Sequence, residues 1–207
     1  IPYLDELSPA AKKLRAVNTV VRREDGTLFG HNTDYFGFAS LLKRSGLNVA
    51  GKKVLVLGSG GASNTVTAVL TGLGAEAVVI SRSGENNYEN LQRHEDAAVI
   101  VNATPVGMYP NTGVSPVDLK WFPKLEGVLD VIYNPARTQL LLDAEALHIP
   151  CANGLWMLVA QAKESAEYFT GTSIDDAVIS KIHANLAARM ANIVLIGMPG
   201  CGKSTIG

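Results

Sequence analysis

Apolar positions in this chain gather into short unbroken runs separated by longer amphipathic stretches. The unbroken runs are "KKVLVLG", "AEAVVIS", "DAAVIVNAT" and "GVLDVIYNP", the last expected to stop at Pro135. Continuous apolar runs of strand length mark parallel strands buried on both faces. Between and after them lie "GGASNTVTAVLTGLG", a short "ENLQR" and "TQLLLDAEALH", which read as helices, and "IPCAN", which reads as a short last strand. Strand and helix alternate at a spacing that predicts a parallel sheet with helices on both faces.

The flanks follow a different pattern. Near the start, "SPAAKKL" predicts a short helix with Ser8 as cap and Pro9 in its first turn. "AVNTVVRREDGTLFGHN" predicts two strands turned at Asp25-Gly26. Asp34 to Ser45 reads as a helix with Phe38, Leu41 and Leu42 on one side and Gly46 at its end. After Asn153, "GLWMLVAQAKESAEYFTG" and "SIDDAVISKIHANLAARM" predict two more helices, and "NIVLIG" a further strand. The chain opens on Ile1 in a stretch that reads as the interior of a domain, and both ends are expected to be cut.

The first long strand runs into "GSGGAS", with Gly58, Gly60 and Gly61 between strand and helix. Glycines there permit a tight turn and let a pyrophosphate approach the backbone, while the helix N-terminus offers free N–H groups to the anion. A tight βα connection without a ligand is the alternative. The turn favours a Rossmann-type nucleotide fold, and the end of the second strand refines that reading. An NAD site carries an acidic residue about 20 residues beyond the glycines. Here Ser81, Arg82 and Ser83 occupy that place, which suits a 2′-phosphate and so NADP; a solvated arginine is the alternative.

With 18 basic and 19 acidic residues, the net charge of −1 gives no argument for nucleic acid or an anionic membrane as partner. No apolar run is long enough to span a bilayer and no secretory signal is visible. Two cysteines far apart, Cys151 and Cys201, fit a reducing, cytoplasmic compartment better than a disulfide framework.

The pieces "AVNTVV", "GHNTDYFGF", "VLGSGGAS", "SR", "NATPVGM", "DVIYNP" and "NGLWMLVAQA" occur in the order found in the shikimate dehydrogenase family, over roughly residues 1–187. The chain resembles that family, whose fold is a split substrate domain around a Rossmann-type domain. The resemblance implies a remnant of the substrate domain at 1–33, an NADP-binding domain at 34–153 and returning helices at 154–187. It implies that Asp34 is catalytic and that Asn18, Tyr133 and Gln161 contact shikimate or 3-dehydroshikimate. It further implies cofactor contacts at Gly58, Ser59, Gly60, Gly61, Ala62, Ser81, Arg82, Ser83, Thr104, Gly154 and Met157. Read without the resemblance, Asn18 is a turn residue, Asp34 a helix cap and Tyr133 a core aromatic. The family also pairs a lysine with the aspartate, in a stretch expected just before Ile1. Lys12 and Lys13 fall on a helix face read as exposed and are not substitutes.

The ending "GMPGCGKSTIG" fits a phosphate-binding loop after a strand, through Gly197, Gly202, Lys203 and Ser204. It resembles the start of a shikimate kinase at 190–207, which would use ATP and Mg²⁺ and is expected to be too short to act. A quinate or quinate/shikimate dehydrogenase, and a P-loop kinase with an accessory nucleotide-binding domain, are the other function classes. The sequence leaves the oligomeric state open.

Overall fold

A computed structural model describes residues 1–191 of the chain. Its larger sheet is parallel and holds β4 (Lys53–Leu57), β5 (Glu76–Ile80), β6 (Val99–Asn102), β7 (Gly127–Asp130) and β8 (Cys151–Ala152), in the order β5-β4-β6-β7-β8. Alternation along each strand assigns the two faces. Val54, Val56, Val99, Val101 and Leu129 point into one apolar cluster with α2 (Asp34–Ser45), α3 (Gly61–Gly72), α5 (Leu155–Thr170) and α6 (Ala177–Met190). Leu55, Leu57, Ile100 and Val128 point into the other, with α4 (Gln139–Ala146) and two 3₁₀ turns at Leu91–His94 and Leu119–Trp121. Both faces are covered, as the unbroken apolar runs require. This is the expected α/β architecture. Chain order reverses between β4 and β6, and that crevice, at the carboxyl ends of the strands, is where doubly wound sheets take ligands.

The second sheet is small. It comprises β1 (Glu6–Leu7), β2 (Thr19–Arg22) and β3 (Leu28–His31), ordered β1-β3-β2. The hairpin β2–β3 turns through Gly26, whose φ of +87° is left-handed. Ser8 caps α1 (Pro9–Leu14) by accepting the Ala11 N–H. Strand β1 has no sequence signal: two residues are too few for a period, and its parallel pairing with β3 is a long-range contact.

Three expectations need correction. Strand β7 ends at Asp130, well before Pro135, because the Asp130 carboxylate accepts the Ile132 N–H and turns the chain. The "ENLQR" segment forms only the 3₁₀ turn Leu91–His94, since Asn87 and Asn90 take up the neighbouring backbone groups. Helix α6 starts at Ala177 rather than Ser173; the Ile174 N–H is held by Glu167 of α5 instead.

The two sheets are joined mainly by α2 packing on α5. The crossing is close at Gly37, where an added Cβ would lie 2.9 Å from the Met157 carbonyl oxygen and 3.1 Å from Gln161 Cβ. Only hydrogen fits there without moving one helix. Gly37→Ala is therefore expected to cost about 2 kcal/mol and lower the Tm by about 4–8 °C. An unchanged Tm in a thermal melt would show that the helices separate without cost.

Candidate active site

Asn18 ends the turn before β2 and keeps its side chain exposed. Its Oδ1 accepts the Thr33 N–H at 3.0 Å, and the Thr33 and Thr19 hydroxyls donate to it at 3.3 and 3.2 Å. Ser165 of α5 closes the ring, donating to Thr33 Oγ1 and hydrogen-bonding Thr19 Oγ1. With its oxygen so committed, Asn18 presents its amide N–H groups to the Asp34 carboxylate. Burial raises the Asp34 pKa, and the Asn18 hydrogen bond opposes that rise.

Asp34 is the first residue of α2, and the cap position belongs to Thr33. The Asp34 N–H is taken by Asn32 Oδ1 at 3.1 Å. The simple cap reading therefore fails here: another side chain serves the helix end, and the Asp34 carboxylate is left to face Asn18. Gln161 lies on the α5 turn that meets Gly37, one turn below Asp34. Its Oε1 is buried with no hydrogen-bond partner among the described residues. A buried amide oxygen left unpaired is expensive, and fits a group that completes its bonds with a ligand.

The glycine turn lies at the end of β4. Gly58 has φ +108° and donates to the Ile80 carbonyl. A Cβ there would meet the Ala103 carbonyl and Thr104 Cγ2, both at 3.0 Å, so the loop after β6 requires this glycine. Gly60 and Gly61 are different: nothing lies within 4 Å of a Cβ built on either. Space over these two, at a helix N-terminus with no side-chain cap, fits a phosphate cradle. Ser59 is exposed beside them and Ala62 half-buried. After β5, the Ser81 N–H donates to the Asn86 carbonyl and the loop folds back, leaving Arg82 and Ser83 exposed. Arg82 has no ion-pair partner among the described residues and sits near Tyr88. These residues fit an adenosine 2′-phosphate as well as a diphosphate.

Thr104 and Tyr133 face each other across a cleft of about 320 Å³ between the loops after β6 and β7. Tyr133 is 43% exposed, so it is not a core aromatic. Gly154 donates to the Ile132 carbonyl, and a Cβ there would run into the Val131 carbonyl. Met157 is buried against Gly37 in the α2–α5 contact, with little surface for a ligand. A larger groove beyond Tyr133, lined by Arg44, Trp156, His183 and Met190, contains no other predicted site residue. Gly197, Gly202, Lys203 and Ser204 lie outside the described residues.

No protein-family model matches the sequence. Shikimate dehydrogenase (NADP(+)) from Clostridium perfringens strain 13 is 34% identical over 210 residues, covering 91% of this chain and 77% of the relative. The chain belongs to the shikimate dehydrogenase family. Among solved members, shikimate dehydrogenase 1 from Peptoclostridium difficile superposes with TM-score 0.82 at 39% identity, over 92% of this chain and 74% of that one. The enzyme from Thermus thermophilus, in complex with NADP(H) and shikimate, gives 0.77 at 33%, over 89% and 73%. No helix among the described residues is long and apolar enough to cross a membrane, and no group of metal-ligating side chains is present among them.

Beside the residues named from this family resemblance, the fold assembles polar groups that sequence reasoning missed. Ser165 lies one turn past Gln161 on α5, and its only signal is that spacing. Asn102 and Asp130 close buried apolar strands at their carboxyl ends, a placement that points to a ligand crevice in parallel sheets. A third group is the pair His31 and Glu164. His31 Nδ1 bonds Ser8 Oγ at 2.7 Å, Nε2 lies 3.4 Å from Glu164 Oε1, and Tyr168 covers the ring at 4.3 Å.

Burial pushes Glu164 up to about 7, with Glu167 adding to the rise and Lys163 opposing it. Burial lowers His31. Both shifts favour the neutral forms. Folded Glu164 holds its proton more tightly than the unfolded chain does, from an ordinary value of 4.5. Its contribution to stability is complete below about pH 4.5 and is lost as pH rises to about 7. His31 acts oppositely: its contribution is complete above its ordinary 6.5 and is lost as pH falls through the lowered value. Glu164→Gln should therefore gain on the unmutated chain by on the order of 2 kcal/mol as pH rises from about 5 to about 8. Paired thermal melts across that range check this; a constant gap would show that Glu164 titrates normally.

Proposed function

We propose that this chain is an NADP-dependent shikimate dehydrogenase, an oxidoreductase that interconverts shikimate and 3-dehydroshikimate on the route to chorismate and aromatic amino acids. The observation that carries the reading is the Asp34 carboxylate, half-buried, raised in proton affinity and held by Asn18, near the unpartnered amide oxygen of Gln161. Oxidation of a secondary alcohol needs a proton acceptor at its oxygen, and a carboxylate whose pKa has moved toward neutrality suits that task. Asn18, Gln161 and Tyr133 supply the donors and acceptors that orient a polyhydroxy ring. NADP, when bound, supplies the two-electron acceptor. The glycine turn and the α3 N-terminus would hold its diphosphate, Arg82 with Ser81 and Ser83 its 2′-phosphate, and Thr104 and Gly154 border its far end.

On this reading residues 1–33 and 154–187 form the substrate side and 34–153 the cofactor side, in a cytoplasmic protein. The lysine that the family pairs with Asp34 has no counterpart in this sequence, so these 207 residues alone are expected to turn over slowly. The Gly197–Ser204 run reads as the opening of a shikimate kinase that would use ATP and Mg²⁺.

Two measurements test the proposal. NADP⁺ should bind at least about tenfold more tightly than NAD⁺, and Arg82→Ala should abolish that preference while sparing NAD⁺. Equal binding of both cofactors to the unmutated chain would sink the NADP assignment. Asp34→Asn should lower shikimate-dependent NADPH formation by about 10²–10⁴-fold. Undiminished turnover would remove Asp34 from the chemistry, and faster oxidation of quinate than of shikimate would name a different substrate.

A further inference from the structure

Asn102, Asp130 and Thr138 are almost wholly inaccessible, with exposures of 0, 0 and 1%. None is among the residues assigned to substrate or cofactor. Asp130 accepts three hydrogen bonds: Oδ1 from Asn102 Nδ2 at 3.1 Å and from the Ile132 N–H at 3.0 Å, and Oδ2 from the Thr138 hydroxyl at 2.7 Å. Two of the partners are N–H groups, which can only donate, and the third is a hydroxyl; burial raises the Asp130 pKa and these three hydrogen bonds oppose the rise. No cation among the described residues is paired with it. Burying a carboxyl group without a counter-charge is costly, and its three hydrogen bonds offset that cost.

The carboxylate joins Asn102 to the Ile132 turn. Asn102 Nδ2 donates to Asp130 and, at 3.3 Å, to the Val106 carbonyl, so Oδ1 faces Thr104, where it accepts the N–H at 3.0 Å and the hydroxyl at 2.7 Å. Thr104 Oγ1 in turn accepts the Val106 N–H. On the other side, Ile132 is tied through its carbonyl to the Gly154 N–H, with Tyr133 next along the chain. Thr138 caps α4 through the Leu141 N–H. One carboxylate thus sets both walls of the cleft between Thr104 and Tyr133.

We propose that Asp130 is a positioning residue of the cofactor crevice. Acting through Asn102, it holds the Thr104 loop and the Ile132–Tyr133 loop in the arrangement that receives the half of NADP remote from the 2′-phosphate. This rests on the NADP reading. Replacing Asp130 by leucine removes the acceptor itself: the Ile132 N–H and the Thr138 hydroxyl lose their partner, Asn102 Nδ2 keeps only the Val106 carbonyl, and the two loops lose the group that joins them. Asp130 does not touch the ligand, and its influence is confined to one half of the site.

The test uses the full chain, titrated with NADP⁺ and with 2′,5′-ADP, which carries only the adenosine and 2′-phosphate end. Asp130→Leu should raise the NADP⁺ Kd about tenfold and leave the 2′,5′-ADP Kd within about twofold. In the ligand-free protein, the Thr104 and Val106 amides should exchange hydrogen at least about tenfold faster. Thr138→Val should weaken NADP⁺ in the same selective way but less, and Thr138→Ser should restore it. Equal weakening of both ligands marks a merely structural residue and overturns the proposal, as does unchanged NADP⁺ affinity. Should Asp130→Leu fail to fold, Thr138→Val decides: wild-type NADP⁺ affinity in that variant overturns it. An unmutated chain that binds neither ligand overturns the NADP reading and this proposal together, whereas binding by the unmutated chain with no selective loss in the variants overturns the proposal alone.

Discussion

Helices α2 and α5 touch at Gly37, and the candidate site depends on that contact. Helix α2 leaves the small sheet with Asp34 at its N-terminus, and α5 leaves the large sheet just after Gly154. With a side chain at Gly37 the helices would have to part, since its Cβ would meet the Met157 carbonyl at 2.9 Å. Without one, Gln161 and Ser165 are carried alongside Asp34 and Thr33, and the Ser165 hydroxyl reaches the ring that orients Asn18. A single missing Cβ thus brings residues from positions 18, 34 and 161 into one neighbourhood. Close packing transmits this without slack, because protein interiors leave no voids in which one helix can shift independently.

Around that contact the molecule uses hydrogen-bonded rings to set side-chain direction. In the first ring, Thr33, Thr19 and Ser165 occupy the oxygen of Asn18 and so aim its amide nitrogen. In the second, Asp130 and the Val106 carbonyl occupy the nitrogen of Asn102 and so aim its oxygen. An amide side chain has two chemically opposite ends of nearly equal shape, so only its partners decide which way it points. Two of the buried atoms left unpaired, Gln161 Oε1 and Glu164 Oε2, lie on one helix near the first ring. Unpaired buried polar atoms are rare because each costs of the order of a lost hydrogen bond; Glu164 faces His31, while Gln161 lies at the Gly37 contact below Asp34, where its free oxygen fits a polar ligand.

Much of the fold is legible in one dimension, because the signals are local. The helix at Asp34–Ser45 and its glycine stop follow from apolar spacing and left-handed backbone at Gly46. The apolar runs become central strands because alternate residues serve opposite clusters and both clusters are buried. Legibility fails where the cause is distant. Strand β1 exists only through its partner β3. Pro135 marks the expected end of β7, whereas a side chain, Asp130, ends it earlier. Asp34 as a cap is a sound local alternative, yet Thr33 holds that position.

Residue order alone was enough for the succession of elements, the α/β class, the glycine turn with Arg82 beyond it, and the family. Each of these depends on residue type at short spacing or on motifs kept in order. Folding in three dimensions was needed to desolvate Asp34, to leave the Gln161 oxygen unpartnered, to make Gly58 a demand of the loop after β6 while Gly60 and Gly61 stay open, and to bring Asp130 against Asn102. Desolvation, steric demand and amide orientation are properties of neighbours, and these neighbours come from strands and helices tens of residues apart.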